Sequence, residues 1–167
     1  MLKNFFPNKI FSISNKFING LIILMIFIVL FGLVYSLFIS PEDYVQGDSV
    51  RIMYVHVPSS FLALGIFAFI GVGSIFNLIF KIKLMPLITK SLAPIGTIFT
   101  LISIVTGSLW GKPTWGIWWV WDARLTSMLI LLIFYLAYVL TWKFIENFEK
   151  ANKITSIIGI VGLINLP

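Results

Sequence analysis

Residues 17–39 read FINGLIILMIFIVLFGLVYSLFI, twenty-three positions without a charge. A hydrocarbon core of ~30 Å needs about 20 apolar residues in helix. Lipid offers the backbone no partner, so such a stretch satisfies its own amides and carbonyls as an α-helix. Three further stretches meet the length, 59–80, 87–109 and 125–142. The sequence therefore predicts an all-α, polytopic transmembrane helical bundle with four full spans in a single domain, 1–167. A fifth apolar run, 154–167, has fourteen residues, too few to cross comfortably. It is either an interfacial end or part of a fifth helix cut short. The first stretch is longer than a signal-peptide apolar region and lacks a small-residue cleavage pattern before Pro41, so it reads as a retained helix.

Composition agrees with that solvent. The chain is 59% hydrophobic and 11% charged, with a mean hydropathy of +1.04, well beyond a soluble domain of this length. Its net charge of +6 does not indicate nucleic acid, because the cations sit in short clusters between apolar runs. Lys3, Lys9 and Lys16 precede the first run, Lys81, Lys83 and Lys90 flank the second connection, and Lys143, Lys150 and Lys153 flank the fourth. The first and third connections hold only Arg51, Lys112 and Arg124. A nine-to-three split places the N-terminus in the cytoplasm. Residues 41–57 and 110–124 then face the other side, the periplasm in a bacterium, with a mitochondrial inner membrane as the alternative. There is no cysteine, which excludes dithiol exchange, thiolate-held clusters and covalent haem attachment through the chain's own thiols.

The third connection carries the chemistry. It reads WGKPTWGIWWVWDAR over 110–124, with Trp110, Trp115, Trp118, Trp119 and Trp121 inside twelve residues. An interfacial aromatic belt accounts for one or two tryptophans at a helix exit, less readily for five. At the bilayer centre Lys112, Asp122 and Arg124 would cost roughly 2.5 to 3.5 kcal/mol each, which puts the loop at the interface. Gly111, Pro113 and Gly116 are expected to break the helix leaving Leu109. If a helical turn resumes after Pro113, then Trp115, Trp118 or Trp119, and Asp122 share one side. An aromatic shelf of that kind suits a large, flat, conjugated ligand with a polar edge, and haem fits the description.

Haem iron takes an axial imidazole, and the one histidine in the chain, His56, falls on the same outer side. A lone histidine near a helix start is more often an interfacial polar residue. Its conjunction with the tryptophans and with Arg51, Lys112 and Arg124, which run against the positive-inside bias and suit propionates, favours the ligand reading. Pro58 reads as a first-turn proline opening the second helix. Asp122 is as well explained by capping the fourth helix as by touching a ligand. Glu42, Asp43 and Asp48 read as a solvated loop face, and Met53 as membrane packing ahead of an axial sulfur.

The run 110–127, WGKPTWGIWWVWDARLTS, resembles the tryptophan-rich signature of the haem-handling proteins of cytochrome c biogenesis, and within them the haem exporter C family. RIMYVHVP, 51–58, is similar to the segment before that family's second helix, where its histidine ligand lies. The resemblance extends from about the first helix to residue 167. It implies a polytopic inner-membrane protein that holds haem b at its periplasmic surface. The haem would pass to a membrane-anchored haem chaperone, aided by an ATP-binding cassette haem-release complex and a small membrane accessory subunit. His56 would be an axial ligand of the haem iron, and residues 110–122 would hold the macrocycle. The family has six helices and a second histidine between the fifth and sixth, so the resemblance implies a chain truncated C-terminally. Two rivals remain. One is a cytochrome c synthase or haem lyase of the same superfamily, whose members are larger and richer in histidine. The other is a structural or transport subunit whose tryptophans only anchor it. Neither rival displaces the non-enzymatic reading.

The topology has a direct check in a cysteine-free chain. Lys112→Cys should react with a membrane-impermeant thiol reagent in intact cells, and labelling that appears only after lysis would reverse the assignment.

Overall fold

The computed structural model describes the backbone of residues 8–82 and 84–166, with side chains from Phe17 onward. Lys3 and Lys83, two cations of the loop count, and Pro167, the last residue of the predicted fifth run, lie outside the described residues, as do the side chains of Lys9 and Lys16. Among the described residues the chain is helical and has no strand. The elements are α1 (Asn8–Val34), a π turn (Tyr35–Ile39), a 3-10 turn (Asp48–Ile52), α2 (Met53–Phe80), α3 (Met85–Trp115), α4 (Ala123–Phe144) and α5 (Phe148–Leu163). Among the described residues four segments, Phe17–Ile39, Asp48–Phe80, Met85–Trp115 and Ala123–Phe144, are long and apolar enough to cross a membrane. The protein is a multi-pass membrane protein.

α1 and its π turn form one compact unit. Rings stack along the helix at four-residue spacing, Phe27 on Phe31 at 6.5 Å and Phe31 on Tyr35 at 6.3 Å. The π turn closes when the Ser40 amide donates to the Tyr35 carbonyl at 2.8 Å. Ser40 then turns extended, as the residue before a proline must.

Residues 42–167 form the second unit. α2 packs against α3 and α5, and α4 packs against the same two helices. Small residues line the contacts. Ala151, Thr155, Ser156, Gly159 and Gly162 are the buried positions of α5, which suits helix pairs that gain little from burying apolar surface out of lipid and depend on close packing. The centre holds Phe67, Ile70, Ala93, Leu131, Tyr135 and Tyr138. Tyr135 of α4 reaches across to donate to the Ala63 carbonyl of α2 at 2.7 Å, and its ring meets Phe67 edge-on at 4.9 Å. Tyr138 donates to Thr89 of α3 at 2.9 Å. Toward the opposite end from residues 110–121, Asn77 of α2 donates to Asn152 at 2.9 Å and to Ser156 at 3.2 Å, both on α5.

Several element ends differ from the sequence reading. α2 begins at Met53 rather than near 59, led in by the 3-10 turn, so His56 and Pro58 lie inside the helix. Pro58 is its sixth residue, not a first-turn opener. α3 runs through Gly111 and Pro113 and stops at Gly116, whose φ of 79° is the left-handed conformation glycine tolerates. A proline in a last turn forfeits one amide bond and keeps a helical φ, while the buried Gly111 leaves room for the Trp115 ring beside it. No helical turn resumes between Gly116 and Asp122, so Trp118, Trp119 and Asp122 do not share a helix face. α5 starts at Phe148, ahead of the predicted 154, with Asn147 as its cap.

Close packing around Tyr135 sets a test. A Cβ on Gly96 would run into the Tyr135 ring, which its bond to Ala63 restrains, whereas a Cβ on Gly65 would meet nothing. Gly96→Ala should destabilise the bundle by about 1–3 kcal/mol. Gly65→Ala should be neutral or stabilising by up to ~1 kcal/mol, since alanine is the better helix former. Thermal unfolding of both variants in detergent separates the two.

Candidate functional site

Where α2 begins, α3 ends and α4 begins, the second unit holds a half-open cavity of about 220 Å³. His56, Ser60 and Leu64 of α2 line it at four-residue spacing, one face of one helix. Ser103, Ile104, Gly107, Trp110 and Trp115 of α3 form the second wall. Trp119 from the loop and Arg124, Leu125 and Met128 of α4 complete it. A second hollow of about 250 Å³, lined by His56, Val57, Ser60, Phe61 and Leu64, meets it at His56.

The imidazole is fixed from α3. His56 Nδ1 lies 3.0 Å from the Ser103 carbonyl and 3.1 Å from Thr106 Oγ1. Gly107 makes room, because a Cβ there would stand 3.0 Å from His56 Cε1. Around the ring, Ser60 donates to the His56 carbonyl at 2.9 Å and pairs with the Ser103 hydroxyl at 2.6 Å. Nδ1 is thus occupied by α3, and no hydrogen-bond partner to Nε2 is found among the described residues.

The tryptophans form two edge-to-face pairs. Trp110 and Trp115 lie 5.1 Å apart at 69°, Trp119 and Trp121 5.5 Å apart at 75°. Trp110 Nε1 donates to Gln46 at 2.9 Å. The Asp43 carboxylate folds the loop that holds Gln46, accepting from the amides of Val45 at 2.9 Å and Gln46 at 2.8 Å. The Trp119 Nε1–H is buried without a partner in the structure.

Charges at this end are mostly committed. Asp122 caps α4, accepting from the Leu125 amide at 2.8 Å, and holds Arg124 at 2.8 Å. The Leu125 amide, and after it the Arg124 guanidinium, keep its carboxyl below the usual range. Arg124 also stands 5.6 Å from the Trp115 ring. Lys112 donates to the Gly116 carbonyl at 2.8 Å, closing the C-terminus of α3 where a cation is favoured. Arg51 pairs with Asp48 at 3.1 Å. Among the described residues no three His, Cys, Asp or Glu side chains gather as a metal site. A metal bound here would have to bring most of its donors with it.

The profile of the family described as Heme exporter protein C matches residues 2–167. The chain belongs to the haem exporter C family. Relatives named Heme exporter protein C include those of Escherichia coli K12, 40% identical over 161 residues, and Paracoccus denitrificans, 46% identical over 120. The alignments cover 96% and 72% of this chain and 66% and 49% of those proteins, respectively. A third, from Rhodobacter capsulatus, is 41% identical over 145 residues, 87% of this chain and 60% of its own length. The chain thus spans two thirds or less of these relatives.

Of the residues singled out in the sequence, the structure gathers His56, Trp110, Trp115, Trp119 and Arg124 around one cavity. It leaves Trp118, Trp121, Lys112, Asp122 and Arg51 outside the lining, with Trp118 55% and Trp121 75% exposed. Of the five tryptophans of the aromatic shelf read from the sequence, Trp110, Trp115 and Trp119 line the cavity and Trp118 and Trp121 lie beyond it. Met53 is also outside the lining. Asp43, read as a solvated face, is a half-buried turn former. Ser60, Ser103, Thr106 and Gly107 were missed. Their signal was present: Ser103, Thr106 or Gly107, and Trp110 repeat at three- and four-residue steps, one face of α3.

The Asp122 cap gives a pH-dependent observable. Its folded pKa is depressed, so its contribution is present above the unfolded value of about 3.9 and is lost as pH falls through the folded value. Asp122→Ala should reduce exchange protection at the Leu125 amide several-fold at neutral pH, and Asp122→Asn, which keeps an acceptor, should reduce it less. On acidification the parent should converge on the Asn variant, as hydrogen exchange read by mass spectrometry would report.

Proposed function

We propose that this chain binds haem b at its Trp-rich end and delivers it for the biogenesis of c-type cytochromes. The observation that carries the reading is His56, whose Nε2 is left uncommitted beside the indoles of Trp110, Trp115 and Trp119 in one cavity. The haem is cargo, and what it brings is an iron with its own equatorial nitrogens and an open axial position. That suits a site with one available imidazole and, among the described residues, no clustered ligand set. Arg124 and the unpartnered Trp119 N–H are donors suited to propionates. At about 220 Å³ the cavity is smaller than the roughly 300–1,000 Å³ of pockets that enclose a drug-sized ligand. It suits one edge of a macrocycle, with Trp118, Trp121 and the cap around Asp122 meeting the remainder outside. Lys112, bonded to Gly116, stands 5.9 Å from the Trp118 ring, and Arg51 pairs with Asp48.

In this reading the chain is a subunit of the bacterial inner membrane with a cytoplasmic N-terminus and a periplasmic Trp-rich end. It hands haem to a membrane-anchored haem chaperone, working with an ATP-binding cassette haem-release complex and a small membrane accessory subunit. It binds and transfers without forming thioether bonds, which separates it from a haem lyase.

Haem occupancy in detergent-purified protein tests the proposal. Trp118 and Trp119 replaced together by Ala, or His56→Ala alone, should lower affinity by more than about tenfold while insertion continues, because the first change lies outside the spans and the second makes its span more apolar. Equal occupancy in parent and both variants, at equal membrane levels, would refute it.

A further inference from the structure

His56 is held by groups whose own chemistry decides which of its nitrogens carries the proton. A backbone carbonyl only accepts, so the nitrogen 3.0 Å from the Ser103 oxygen must be the N–H. The Thr106 hydroxyl could in principle donate to that nitrogen instead. Its proton, however, is committed to the Ile102 carbonyl at 2.6 Å, which leaves an oxygen lone pair facing His56 at 3.1 Å. Ser60 and Ser103 do not compete for the ring. Ser60 donates to the His56 carbonyl, and the Ser103 hydroxyl therefore donates to Ser60. Both acceptors beside the ring thus require Nδ1–H, opposite to the form with the proton on Nε2 that a free neutral imidazole prefers. Gly107 completes the arrangement by admitting the ring edge, since a Cβ would meet Cε1 at 3.0 Å.

We propose that the Ser103 carbonyl and the Thr106 hydroxyl form a tautomer clamp that holds His56 as the Nδ1–H imidazole before any ligand arrives, with Nε2 bare as an electron-pair donor. The clamp rests on the reading of His56 as an axial ligand and assigns Thr106 as its positioning residue. It raises the basicity of the donor nitrogen and fixes the ring plane. It also removes the proton rearrangement that an Nε2–H imidazole would need before it could coordinate. Because Ser103 and Thr106 lie on the same helix as Trp110 and Trp115, the clamp and that part of the aromatic wall are set by one element.

The chain's single histidine makes the test unambiguous. The 167-residue chain labelled with 15N in the imidazole, free of haem and at a pH where the ring is neutral, should show one protonated Nδ1 and one unprotonated Nε2. Thr106→Val removes an acceptor at nearly constant volume. It should shift the ring toward a mixture of tautomers and weaken ferric haem binding by about tenfold, the low end for loss of a group that orients a ligand. Thr106→Ser, which restores the hydroxyl, should recover both. A parent ring with the proton on Nε2 would overturn the clamp. So would a Thr106→Val protein, intact by circular dichroism, with unchanged 15N shifts and unchanged haem spectrum. Failure of the parent to bind haem while the Nδ1–H form is observed would sink the haem reading and leave the clamp standing.

Discussion

In hydrocarbon a hydroxyl has no water to turn to, and this bundle settles that demand within each helix first. Ser74, Thr97, Thr100, Thr106, Thr141 and Thr155 each donate to the carbonyl four residues earlier, at 2.6–2.8 Å. Once those protons are spent, the hydroxyls present only lone pairs to neighbouring helices. Cross-helix bonds must therefore be brought by side chains with donors to spare. Tyr135 supplies one to Ala63, Tyr138 one to Thr89, and Asn77 two to α5. His56 is the same solution at the Trp-rich end, where α3 offers acceptors and the imidazole supplies the N–H.

That rule ties packing to the site. Tyr135 stands against Gly96 and bonds to Ala63, so α2, α3 and α4 meet at one side chain. Leu64 and Met128, which line the cavity, also pack on the central cluster. Beyond that core lies the cavity, whose lining includes the indoles of Trp110, Trp115 and Trp119 and the Arg124 side chain. Gln46, bonded to Trp110, fastens the preceding loop to that lining.

The spans were legible because 23 uncharged residues at 17–39 admit one reading in lipid, and the tryptophans and His56 were legible as chemistry out of place in a span. Helix ends were not. Gly111 and Pro113 read as punctuation, yet a proline in the last turn loses one bond and the glycine admits Trp115. Met53 to Pro58 looked like a loop because the proline drew the helix start toward itself. With α2 begun too late, the face that carries His56, Ser60 and Leu64 was invisible, and so was its match to Ser103 and Thr106. The pairing of Gln46 with Trp110 depends on the fold of the Asp43 turn and has no signature in spacing.

α3 has 31 residues, about 46 Å of rod at 1.5 Å per residue, against ~30 Å of hydrocarbon. A rod that long tilts or protrudes as bilayer thickness changes. Since it continues unbroken through Trp115, any tilt is carried as by a lever to the Trp110 and Trp115 rings. The acceptors that grip His56 belong to the same rod. Bilayer deformation therefore moves those acceptors and the Trp110 and Trp115 indoles together, and the distances between them are insulated from the thickness of the membrane that surrounds them.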